Sequence, residues 1–132
     1  MSIDILRPCD IEDEIRKALT GYLTTYCRPL PAEYTLPNII PVCVGGGTNK
    51  TIDTFMVRLD VRAETDAEAD EYLRNALGIL EAQVKAQFGA LRHIQINSLA
   101  NWGTDPMRPD LKLRTLTVLV TAHRESVTLT NS

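Results

Sequence analysis

The sequence predicts an α+β fold in which two amphipathic helices pack on one face of an antiparallel sheet. Three observations lead there. Two segments, 10–27 and 65–89, repeat apolar residues at helical spacing. The segments 54–62 and 115–123 alternate apolar and polar residues with period two, as a sheet with one buried face requires. Shorter apolar runs, 39–44 and 91–97, precede each alternating segment across a Gly- or Pro-bearing loop, so the strands fall into two hairpins. The expected order is α-β-β-α-β-β.

A length of 132 residues suits one domain with one core. Residues 1–9 are expected to be an N-terminal arm and 125–132 a mobile polar tail. The first helix should begin at Asp10, a good N-cap, with Glu12, Asp13 and Glu14 in the first turn, where the helix dipole favours negative charge. Ile11, Ile15, Leu19, Tyr22, Leu23 and Tyr26 form its apolar face, and Arg28-Pro29 should end it. The following RPLPAEYTLPN, with three prolines, is expected to be an irregular connector. In the next run, IIPVCV, Pro41 cannot donate to a ladder, which places this strand at a sheet edge.

The stretch GGGTNKT resembles a phosphate loop, but Asn49 stands where a glycine is needed before the lysine, and a strand follows where a helix should. A hairpin loop is the better expectation. In TFMVRLDVRAE, Phe55, Val57, Leu59 and Val61 face the core, and Met56, Arg58, Asp60 and Arg62 face water or a partner. The second helix opens with a capping box, Thr65 and Glu68, and buries Ala69, Leu73, Ala76, Leu77, Leu80, Val84 and Phe88. Gly89 is its expected C-cap, and Gly78 a close-packing position. Ile94 and Ile96, and then Leu116, Val118, Val120 and Ala122, should face the core, with His93 and His123 outward.

Composition narrows function. The net charge is -3, a poor start for gripping nucleic acid, and the strands carry no run of aromatics on which bases could stack. Cys9, Cys27 and Cys43 lack metal or disulfide spacing and are expected to be free thiols in cytoplasm, with no signal peptide before them. His93 and His123 with Asp105 and Asp110 could make an acid–base or ligand site in a small enzyme, yet no serine, cysteine or histidine stands in a known catalytic spacing. Neither catalysis, metal nor cofactor is expected.

The run INSLANWGTDPMRPDLKLRTLTVLV leads from a strand through a Pro-Asp loop into a long alternating strand. With Trp102, Asp105, Pro106, Pro109, Asp110 and Arg114 placed along it, and with the order of helices and strands over residues 8–125, the chain resembles the tail terminator proteins of long-tailed bacteriophages, also called minor tail or tail completion proteins. The resemblance implies a structural virion protein without catalytic residues. Such proteins form hexameric rings on the last ring of the tail tube, stop its growth and meet the head–tail connector proteins, while DNA passes the lumen without specific binding. They assemble in the host cytoplasm and end in the virion tail. A head–tail connector or neck protein is the neighbouring reading. The interface candidates are Arg58, Asp60 and Arg62 on the sheet face and Trp102, Asp105, Pro106, Arg108 and Asp110 in the loop.

Overall fold

A computed structural model describes residues 1–49, 52–98 and 101–131; of Asn49, Trp102 and Thr104 it describes the backbone. The elements are β1 (Ser2–Arg7), α1 (Ile11–Leu19), β2 (Asn38–Asn49), β3 (Ile52–Ala63), α2 (Asp66–Lys85), β4 (Leu91–Ile96), β5 (Asn101–Asp105), β6 (Arg108–His123) and β7 (Glu125–Thr130). The protein is α+β: the expected order α-β-β-α-β-β runs through it, with β1 ahead of it, β5 as a further strand between β4 and β6, and β7 behind. The main sheet runs β2-β3-β6-β4, all antiparallel, with β5 continuing the β4 edge along the first half of β6. Both helices lie on one face. There Ile15, Leu19, Leu73 and Leu80 meet Ile39, Val57, Leu59, Val61, Leu116, Val118 and Val120, all buried. The alternation in β3 and β6 therefore assigns the core face as the sequence indicates. Pro41 sits in edge strand β2, where its missing N–H costs no ladder bond.

Helix ends follow local chemistry. Asp10 accepts a hydrogen bond from the Asp13 N–H at 3.2 Å, and Thr65 accepts one from the Glu68 N–H at 3.2 Å. Yet α1 stops at Leu19, well before Arg28-Pro29. Thr20 turns its N–H and its hydroxyl back to the Arg16 carbonyl, and Gly21 takes φ +97°. The chain then leaves the helix axis, so Tyr22 is exposed, while Tyr26 accepts a hydrogen bond from the Thr35 N–H at 3.0 Å. Helix α2 ends at Ala86, and Gln87 takes the left-handed conformation in place of Gly89 as the cap. Phe88 thus falls beyond the helix and is partly exposed. Gly78 is not a close-packing position, since a Cβ there would meet nothing within 4 Å.

Four further departures matter. The glycines 45–47 lie in β2 itself, paired to Met56, Phe55 and Thr54, with a bulge between Cys43 and Gly45; the hairpin tip at Lys50 and Thr51 lies outside the described residues. The 101–110 loop is a hairpin of β5 and β6 joined by Pro106-Met107. Ile96, at the end of β4, is 53% exposed, although its cross-strand partner Val118 is buried. Last, both chain ends form strands: residues 125–130, read as a mobile tail, pair as β7 with β1 over the full length of each, in register Ser2↔Thr130 to Arg7↔Glu125.

Candidate functional site

The face of the sheet turned away from the helices carries Met56, Arg58, Asp60 and Arg62 of β3, and Leu113, Thr115, Thr117, Leu119, Thr121 and His123 of β6, by the pairing Arg62↔Leu113 through Ile52↔His123. His93 and Gln95 of β4 extend it. Among the described residues no helix covers this face, and the connector residues Leu30, Pro31, Ala32 and Tyr34 border it at Arg62.

Its charges are already spoken for. Arg58 and Asp60 are two apart on β3 and so point the same way; Arg58 Nε and Nη2 donate to the two Asp60 oxygens at 2.7 and 3.0 Å. Asp60 is only 6% exposed, while the arginine reaches solvent. Arg62 donates its Nε to Asp105 Oδ2 at 2.8 Å, tying the β5–β6 hairpin to β3. Asp105 is 4% exposed, and its other oxygen accepts the Met107 N–H at 2.9 Å, which fixes the turn after Pro106. Burial raises the Asp105 carboxyl, but the Met107 N–H and the Arg62 guanidinium outweigh that and hold it below the ordinary carboxylate range. Arg108 and Asp110, again two apart, pair with each other in solvent at 2.9 Å.

So of the residues singled out from the sequence, Arg62 and Asp105 are internal fasteners. Arg58, Arg108 and Asp110 present exposed charge, and Asp60 anchors Arg58. Trp102 is in β5, its backbone opposite Arg114; its side chain lies outside the described part of the structure. Arg114 is on the helix face, opposite Val61, and reaches Asp70 of α2 at 3.2 Å.

The residues of an acid–base site do not come together. His93 and His123 are diagonal neighbours on β4 and β6, since His93 pairs with Thr121. Asp110 is thirteen residues from His123 along β6, about 40 Å at a strand's rise of about 3.3 Å per residue. Among the described residues, no group of three or more His, Cys, Asp or Glu side chains could hold a metal ion. Cys9 is buried, and burial with the nearby Glu14 and Glu125 carboxylates pushes its thiol up to about 11, the wrong direction for a nucleophile. The cysteines are free.

Two features escaped the sequence reading. One is Arg124, which binds Asp53 at 3.2 Å and also reaches Thr48, clamping the end of β6 to the β2–β3 hairpin. The other is the β1–β7 ribbon, which is exposed or half-buried throughout. Its register places Ile3, Ile5, Val127 and Leu129 on one face and Ser2, Asp4, Thr128 and Thr130 on the other. The signal was there, in the alternation of SIDIL and SVTLT, but each run is too short to stand out. No family model matches this chain, and no curated protein matches it.

Proposed function

We propose that this chain is a structural virion subunit, a ring-forming tail terminator that caps the tail tube, stops its polymerisation and offers the surface on which head and tail join. The observation that carries the reading is a domain with a complete core and a sheet face that no described helix covers, half-buried along Met56, Arg58, Thr117 and Leu119 and bordered by the 30–34 connector at Arg62, together with the exposed terminal ribbon. A subunit held by neighbours on two sides needs such surfaces, and head-to-tail contacts close into rings when the rotation between copies closes. The partners under this reading are further copies of the chain, the tail tube protein and the connector proteins. Six chains of 14.7 kDa would make a ring of about 88 kDa.

Interrupting the gene in the genome that encodes it tests the reading. Tails of irregular length, with heads left unjoined, are the expected result. Tails of normal length with unjoined heads would move the protein to the connector or neck, and normal virions would refute a role in joining altogether.

A further inference from the structure

We propose that the hollow between the 30–34 connector and the β5–β6 hairpin binds a small carboxylic acid as its carboxylate, anchored by Arg62. The inference stands apart from the ring reading and names a site for a free ligand.

The floor of the hollow is an arginine with most of its donors unused. Arg62 lines it, and Asp105 holds the guanidinium through Nε at 2.8 Å. Among the described residues that is the one hydrogen bond this side chain makes, and Nη1 is buried with no partner. A buried donor without an acceptor is uncommon, because it has given up water for nothing. A planar acceptor with two oxygens at the Nη edge would match the fork that Asp105 leaves open. The arginine is also set in place beforehand. Both Asp105 oxygens are engaged, one by Arg62 and the other by the Met107 N–H.

The walls decide what the carboxylate is attached to. On the connector side Leu30, Pro31 and Ala32 are apolar, and Tyr34 adds an aromatic ring. On the hairpin side stands Met107, 87% exposed, an unbranched side chain able to fold over a bound apolar body. The hollow measures about 480 Å³, within the roughly 300–1,000 Å³ of small-molecule sites. Its connector wall is held at Thr35 through both backbone groups. The Thr35 N–H donates to the Tyr26 hydroxyl at 3.0 Å. Asn38, wholly buried and opposite Arg62 in register, donates its Nδ2 to the Thr35 carbonyl at 3.0 Å. Floor and wall are therefore formed before a ligand arrives.

Charge selects a monoanion. Arg108 at the rim pairs with Asp110 at 2.9 Å, and Asp105 offsets Arg62. A phosphate dianion would meet the Asp105 carboxylate with no spare cation among the described residues that line the hollow, and without the nest of backbone N–H groups that phosphates use. A single carboxylate needs one guanidinium edge and can bury its stem against the walls. With so few polar contacts, binding should saturate only at millimolar ligand.

Titration of the full chain with benzoate, followed by amide NMR, tests the site. Benzoate should shift the backbone amides of residues 32–35, 62, 105 and 107 saturably, together with the Arg62 Nε–H. Benzamide, alike in shape but uncharged, should bind at least about ten-fold more weakly, and inorganic phosphate should leave these signals unmoved. Ala32→Trp fills the hollow from its exposed connector wall without touching the Arg62–Asp105 pair. It should abolish the benzoate shifts at an unchanged melting temperature. If benzoate leaves these signals unmoved, if benzamide or phosphate moves them equally, or if Ala32→Trp responds like the parent, the site is refuted. The benzoate–benzamide difference in the unaltered chain decides the matter even where the variant fails to fold. Acetylated trialanine with a free C-terminus separates the two sources of such a carboxylate: weaker binding than benzoate upholds a small acid, and tighter binding overturns it in favour of a chain end.

Discussion

Asp105 shows how much a single side chain holds. The sequence marks it as an interface candidate; in the fold it is a fastener between a hairpin turn and Arg62. Asp105→Asn keeps an acceptor for the Met107 N–H but leaves the Arg62 guanidinium, 16% exposed, without its counter-charge. Unpairing a largely buried ion in this way costs about 3 kcal/mol, to be read as a shift in the urea midpoint. The same carboxylate sets an acid limit. Its folded pKa is held below the unfolded value of 3.8, as is that of Asp53, chiefly through the Thr48 hydrogen bond and then Arg124. The stabilisation is therefore complete above the ordinary carboxylate range and is lost as pH falls through the lower folded values. Melting temperatures should be flat from pH 7 to about 5 and fall below about 4. The Asp105→Asn protein should fall less steeply over that acid range, and an equal slope would remove Asp105 from the account.

At the scale of elements, two glycines make opposite predictions. Gly46, in β2 with φ +152°, would place a Cβ within 2.4 Å of the Thr54 carbonyl oxygen. Gly46→Ala should lower the melting temperature and unsettle the β2–β3 pairing. Gly78 is exposed in α2 with open space around it, so Gly78→Ala should stabilise the protein by up to about 1 kcal/mol, the helix-propensity difference. A thermal melt of the two variants checks both. The same elements show what the sequence makes legible. Long periodic runs such as β3, β6 and α2 reveal their core faces, because burial imposes its period on them. The end of α1 is hidden, because Tyr22, Leu23 and Tyr26 continue the helical spacing after Thr20 and Gly21 have turned the chain. The glycines read as a loop because nothing in GGGTN reveals that its backbone is paired to β3. Asp105 and Arg62 could each be picked out as polar residues, but their partnership spans 43 positions and only the fold brings them together.

For the whole molecule, the open sheet face is charged yet electrically quiet. Arg58 and Arg62 have carboxylates of their own, and the chain carries a net charge of -3. Duplex DNA should therefore bind no better than roughly 10⁻⁴ M at physiological salt. A gel shift at sub-micromolar protein would contradict this. Arg58→Glu, which sets a new carboxylate beside buried Asp60, probes the face without cutting the Arg62 fastener. Under the ring reading it should weaken assembly more than it lowers the melting temperature, a difference that sedimentation beside a thermal melt resolves.

The pairing of β1 with β7 also fixes a sequence of events in time. The Asn131 N–H reaches the Met1 carbonyl at 2.8 Å, so this ribbon closes the longest loop in the described chain. Loop closure of that span is repaid only after the intervening chain has condensed, and a ribbon with so little burial adds little once made. The ends should zip last during folding and fray first in the native state. Hydrogen exchange should find the amides of 2–7 and 125–130 opening in a local event far below the global unfolding energy, and those of β3 and β6 only near it. Each chain would then reach its neighbours with a finished body and with two ends still finding each other.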